Sequence, residues 1–294
     1  MNFHQMNRFI TRFRDLEQRG LQQTPEEERQ WNTLRDKLAT PQGEEDHHAV
    51  IHRRCIAVTS LYAQAGASFI ASNVAYAWAG KNIPVTLGEL PGPTSYFYFA
   101  LDYERRVNRQ TNPYTSAPLL LIQNNRLRIQ IDPPLQPNKP SHFDAAHWLL
   151  RTCKESPLVV IDVSSHWREA EAEQIFELAD EIWVVLDTDL ARLTRMLLVE
   201  SAPAWWITER RKIKWIANKW NQQLSRSSVM KKISGTLSLW NPESGPVEVE
   251  YIVPLINGEK VGDAHVKASL LLEQFPEEEL EFQSLIHSYK GRIP

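Results

Sequence analysis

Gly66 and Ser68 lie in a short loop, Leu61-Tyr62-Ala63-Gln64-Ala65-Gly66-Ala67-Ser68, between the apolar run Cys55 to Ser60 and the helix-like run Phe69 to Ala79. Strand, loop and helix in that order are what a phosphate-binding loop requires. Glycine lets backbone N–H groups turn toward an anion, and the helix N-terminus adds its partial positive charge. Phosphoryl transfer needs more: a lysine on the β- and γ-phosphates and a Ser or Thr on the magnesium ion. Ser68 supplies the hydroxyl, but Ala67 stands where the lysine is needed. These residue types allow at most weak binding of ATP and magnesium through Gly66 and the backbone. Hydrolysis is not expected, because nothing offsets the charge that develops on the transferred group; Arg53 and Arg54 sit at the wrong end of the first strand.

The elements that must hold this loop are legible as an alternation. From Ile51 onward short apolar runs alternate with helical patterns, which predicts an α/β fold with a mainly parallel central sheet and helices on both faces. Leu119 to Ile122 and Leu127 to Ile131 flank Gln123-Asn124-Asn125-Arg126, a hairpin signal because adjacent asparagines tolerate left-handed backbone. Residues 1–50 read differently. Phe3, Met6, Phe9, Ile10, Phe13 and Leu16 recur at helical spacing among Arg8, Arg12, Arg14 and Arg19, and Gly20 ends the pattern. Thr24-Pro25-Glu26-Glu27 is a helix start, with Trp31, Leu34 and Leu38 as the next apolar stripe, and Pro41 to His48 is a polar linker. The expected organisation is a helical hairpin and linker over 1–50 and one α/β domain over 51–294.

Composition sets outer bounds. A chain of 294 residues buries about three-quarters of its surface. A net charge of −3 implies no global attraction to nucleic acid. Cys55 and Cys153 form no disulfide framework and suit a reducing cytoplasm. No apolar run is long enough to span a bilayer. Among ten tryptophans, Trp183 and Trp215 fall on expected strands and read as core.

Taken together, the segments resemble the MinD/ParA family of deviant Walker-A, P-loop ATPases, whose loop reads roughly KGGxGK[ST]. Ser68 and Ala71-Ser72-Asn73-Val74-Ala75 match; Tyr62 stands at the signature-lysine position, Ala63 and Gln64 replace two glycines, and Ala67 replaces the second lysine. Pro84 to Pro91 resembles the second strand and switch I, with Glu89 in place of aspartate. Leu158 to Ser165 resembles the Walker-B strand, keeping Asp162. Ala179 to Leu190, Ile213 to Trp220 and Val249 to Leu255 resemble the later strands, with Asn218 and Lys219 at the pair that reads adenine. The resemblance implies that Ser68 would ligate magnesium, Asp162 would hold a magnesium-bound water and Asn218 would contact the base. By that resemblance Gly66, Ser68, Asp162 and Asn218 are vestigial cofactor-binding candidates. A lone carboxylate is a poor magnesium site, which makes Asp162 a polar strand-end residue. Glu89 reads as a solvated loop residue and Asn218 equally as a structural hydrogen bond.

No catalytic residue and no metal site is expected. His47, His48 and His52 have no cysteine partners, and there is no G-x-S-x-G elbow. The expected partners are proteins, through homodimerisation or a hetero-complex. The N-terminal helix offers a membrane-surface alternative to packing on its own domain. The basic run Arg210-Arg211-Lys212 with Lys214, Lys219, Lys231 and Lys232 reads as a solvated edge rather than a nucleic-acid site. The function expected is that of a degenerate, non-hydrolysing scaffold or positioning factor for a bacterial envelope, pilus or secretion assembly, as the resemblance to family members with altered loops, the TadZ/CpaE group, implies. It would be cytoplasmic or peripheral at the inner membrane. An active nucleotide switch and a partition-type DNA-binding protein are the alternatives.

Overall fold

The structure, a computed structural model, describes residues 53–90, 95–107, 119–131, 144–240 and 247–290. The chain divides into two units, Met1–Val50 and Ile51–Pro294. The helical hairpin expected in the first, the linker and its histidines lie outside the described residues.

Among the described residues eight strands form one sheet: β1 (Arg54–Ser60), β2 (Val85–Glu89), β3 (Leu119–Ile122), β4 (Leu127–Gln130), β5 (Leu158–Ser164), β6 (Glu181–Leu186), β7 (Ile213–Trp220) and β8 (Tyr251–Pro254). Their order is β3-β4-β2-β5-β1-β6-β7-β8. Every pairing is parallel except that of β3 with β4. The expected hairpin is therefore present, and it forms one edge of the sheet. Gln123, Asn124 and Asn125 turn it with φ of 52°, 55° and 62°, the left-handed backbone that the asparagines tolerate.

The helices are α1 (Ala67–Gly80), α2 (Tyr96–Ala100), α3 (Tyr103–Arg106), α4 (Ala145–Glu155), α5 (Ala170–Leu178), α6 (Leu190–Val199), α7 (Ala204–Thr208), α8 (Arg226–Leu237), α9 (Gly258–Val266), α10 (Leu271–Gln274) and α11 (Gln283–Lys290). They cover both faces. Along β1, Ile56 and Val58 join the core under α1, α10 and α11, while Cys55 and Ala57 join the opposite core under α4 to α8. β5 and β6 divide in the same way: Val160 and Trp183 go to the first core, Ile161 and Val184 to the second. The side-chain period of two, with both faces buried, explains why these strands read as unbroken apolar runs.

The second core is built largely from tryptophan. Trp206 meets Trp205, Trp215 and Trp240 edge-on, with ring centroids 5.8, 5.2 and 5.0 Å apart, the geometry the ring quadrupoles favour. Trp205 Nε1 donates to the Trp167 carbonyl at 3.2 Å, whereas the buried Trp206 Nε1 has no partner among the described residues. Replacing Trp205 with Phe strands a buried carbonyl; the same change at Trp206 removes an unsatisfied donor. Trp205→Phe should therefore destabilise by about 1 kcal/mol more than Trp206→Phe in urea unfolding.

Candidate functional site

In an open α/β sheet the ligand crevice lies at the carboxyl ends of the strands, where neighbouring connections diverge. Here β1 lies between β5 and β6, and the chain runs from β1 to β2 on one side and from β5 to β6 on the other. The loop after β1, Glu89 at the end of β2, Asp162 and Ser164 in β5, Asp187 after β6 and Asn218 in β7 all gather at that end.

Gly66 is the pivot of the loop. Its φ is +103°, and a Cβ placed on it would lie 2.2 Å from Asn218 Nδ2, so no other residue fits without displacement. Asn218 is buried and donates to the Ala65 carbonyl at 2.8 Å. Its amide thus braces the loop from β7. Three more side chains hold the same loop from outside. Trp167 Nε1 donates to the Leu61 carbonyl at 3.1 Å, Arg192 to that of Ala63 at 3.2 Å and Lys219 to that of Gln64 at 2.5 Å. The carbonyls of Ala63, Gln64 and Ala65 are thus engaged by side chains, and that of Gly66 accepts the Ile70 N–H at 3.0 Å as α1 begins, which leaves loop amides to turn toward the crevice. This is the concave amide arrangement that takes anions. Gln64 keeps a left-handed φ of 69° in place of glycine, and Ser164 and Lys219 do likewise at 52° and 53°, each costing roughly 1–3 kcal/mol.

The signature-lysine position is closed. Tyr62 is 8% exposed, its hydroxyl donates to Asp187 Oδ1 at 2.9 Å and accepts the Asp187 N–H at 3.1 Å. Burial, the largest cause, pushes its phenol well above the usual value. The Arg192 guanidinium lies 5.6 Å from the centre of the Tyr62 ring. Ala67, at the second lysine position, is 4% exposed. No amine reaches the inner side of the loop from either position, and the nearby Arg192 and Lys219 are bonded to its outer carbonyls.

Asp162 is 2% exposed, inside β5. Its Oδ1 accepts the N–H and hydroxyl of Ser164 at 2.8 and 3.1 Å, while its Oδ2 is buried with no hydrogen-bond partner among the described residues. Ser68 Oγ lies 2.8 Å from Ser164 Oγ. Burial raises the Asp162 carboxyl, against the pull of the Ser68 hydroxyl first and then of the Ser164 N–H and hydroxyl. Glu89 corrects the expectation of a solvated loop residue. It closes β2 in register with Asp162 and accepts the Ser95 hydroxyl and the N–H groups of Tyr96 and Phe97, at 2.7 and 3.3 Å, opening α2. Burial first, then the neighbouring Asp162, raise its pKa from 4.5 to about 7. This carboxyl anchors α2, from which Tyr96 and Phe99 project 47% and 63% exposed.

The structure thus brings Gly66, Ser68, Asp162 and Asn218 together. Trp167, Asp187 and Arg192 were invisible to sequence reasoning, because each comes from a different later element and no spacing links it to the loop. Arg54 begins β1 and pairs with Glu181, at the far end as expected. The basic run is no single patch: Lys212 bonds Glu209 and the Glu177 carbonyl, and Lys214 pairs with Glu250. Among the described residues no group of His, Cys, Asp and Glu is arranged to hold a metal ion. Nor is any helix long and apolar enough to cross a membrane.

A mostly parallel sheet with helices on both faces and a phosphate-type loop after β1 defines a P-loop NTPase-like α/β fold. Comparison with solved structures narrows this to the MinD/ParA fold. The septum site-determining protein MinD of Pyrococcus horikoshii, complexed with Mg-ADP, superposes with a TM-score of 0.58 at 11% identity over 80% of this chain and 95% of that one. The MinC:MinD cell division complex of Aquifex aeolicus gives 0.56 at 16% identity over 82% and 98%. A ParA family ATPase of Chlorobium tepidum gives 0.51 at 14% identity over 80% and 97%. No protein-family model and no curated protein sequence matches the chain.

Magnesium and ATP, which the fold implies, fit these residues only in part. The loop amides, Ser68 and the unpartnered Asp162 Oδ2 suit a phosphate and its ion. The closed Tyr62 and Ala67 positions do not suit phosphoryl transfer, whose developing charge needs a positioned cation.

Proposed function

We propose that this chain is a MinD/ParA-fold protein without nucleotide hydrolysis that acts as a scaffold or positioning factor in a bacterial envelope, pilus or secretion assembly. The observation that carries the reading is the closed loop. Tyr62 turns inward onto Asp187, Ala67 is buried, and Asn218, Lys219, Arg192 and Trp167 hold the loop in shape from the protein side. A loop so braced needs no nucleotide to order it. The face that an active relative closes over ATP is then free for constitutive contact, either with a second copy or with a different protein. The solved MinC:MinD complex supports protein partners for this fold, though fold alone does not carry function.

Titration with a fluorescent ATP analogue and magnesium, read by energy transfer from tryptophan, tests the reading together with phosphate release. The expected result is no turnover and, at most, weak binding through the amide nest. Magnesium-dependent hydrolysis lost in Asp162→Ala would overturn it and establish the nucleotide switch, the second reading, which the unpartnered Asp162 Oδ2 favours.

A further inference from the structure

We propose that the groove between α6 and α8 is the docking site for an acidic amphipathic helix of a partner protein. The inference deepens the scaffold reading and rests on it, by naming the surface and the chemistry of what binds there.

α6 carries two apolar stripes. Leu193, Met196 and Leu197 face the core, whereas Leu198 and Val199 are 66% and 73% exposed. One stripe suffices to hold a surface helix on its domain. The second forms, with Lys232, Gly235 and Thr236 of α8, a groove of about 670 Å³. Gly235 is an independent sign. Within a helix it costs roughly 0.5–1 kcal/mol relative to alanine, yet nothing lies within 4 Å of where its Cβ would stand. No neighbour in the described chain requires the missing side chain, and its effect is to keep the floor of the groove open to close approach.

Charge sets the kind of occupant. Arg195 and Lys232 line the groove without an ion pair or hydrogen bond among the described residues, and no carboxylate lines it. The acids at the two ends of α6 are both paired, Asp189 with Arg192 and Glu200 with Arg168. An apolar trough bordered by unpaired cations is complementary to a helix with one leucine-type stripe edged by glutamate or aspartate, the helix-in-groove mode of recognition.

The test uses the full chain and two synthetic amphipathic peptides of about 18 residues. Both carry the same leucine stripe; one is edged with glutamate, the other with lysine. Fluorescence anisotropy should show the acidic peptide binding at least about tenfold more tightly than the basic one, with an affinity that falls as salt rises. Leu198→Glu and Gly235→Trp should each weaken it by about tenfold or more, while Gly235→Ala retains binding and raises helix stability. Leu198 and Gly235 are exposed, and thermal unfolding of each variant verifies its fold. Equal binding of both peptides, no binding of the acidic one, or binding that survives Gly235→Trp would overturn the proposal. Self-association abolished by Leu198→Glu would overturn it too, by assigning the groove to a second copy. The peptide assay contains no nucleotide, so its failure is separable from failure of the loop reading, which the ATP titration decides.

Discussion

Gly66→Ala should destabilise the protein by about 3 kcal/mol or more, an unusually large effect for adding one methyl group. Two causes act together. Alanine is strained at a φ of +103°, and its Cβ would stand 2.2 Å from Asn218 Nδ2, which cannot retreat without losing its bond to the Ala65 carbonyl. The strain at φ alone accounts for roughly 1–2 kcal/mol, and the remainder is steric and shared with Asn218. The double variant Gly66→Ala/Asn218→Ala should consequently cost less than the sum of the two single changes, by about 1 kcal/mol or more. Urea denaturation of the four proteins measures this coupling. Strict additivity would mean that Asn218 does not brace the loop.

The second large effect is expected at Glu89. Its pKa rises from 4.5 to about 7 in the folded protein, burial being the main cause. Between those values the folded state binds the proton that the unfolded chain has released, so stability falls as pH rises through this window. The loss is complete above pH 7 and absent below 4.5. Wild type should lose on the order of 2–3 kcal/mol relative to Glu89→Gln between pH 5 and pH 8. Denaturant unfolding of both proteins across that range isolates the group, since other titrations largely cancel in the difference. Asp162, raised in the same direction and one strand away, couples to it and broadens the transition. A difference independent of pH would show that the carboxyl is not held against ionisation. The consequence reaches the surface, because Glu89 caps α2 and α2 displays Tyr96 and Phe99.

Both effects bear on the proposed function. A loop held by Asn218 and a helix held by Glu89 are set by contacts within the chain. In a nucleotide-driven switch the phosphate supplies such contacts and takes them away on hydrolysis. The described site retains the backbone shape of a phosphate loop while its inward positions are closed by Tyr62 and Ala67.

Much of the architecture was legible in the residues. The apolar runs at Cys55, Leu158, Ala179 and Ile213 became β1, β5, β6 and β7, because a strand buried on both faces must be apolar throughout. The paired asparagines at 124 and 125 marked the β3–β4 turn, since few other side chains accept positive φ. Trp183 and Trp215 were core, as aromatic burial requires. Glu89 was misjudged because its environment is made by Ser95, α2 and Asp162, none of which has a fixed spacing from it.

The sequence by itself determined the order of strands and helices, the position of the loop, and which of its side chains lack an amine, for these are local properties of pattern and residue type. Only the tertiary structure decided that Tyr62 turns onto Asp187, that four side chains from later elements hold the loop's carbonyls, and that Asp162 is buried with one oxygen unpartnered. Those contacts join residues roughly 100 or more positions apart. Hydrogen bonding and desolvation depend on where the chain returns in space, which no local period encodes.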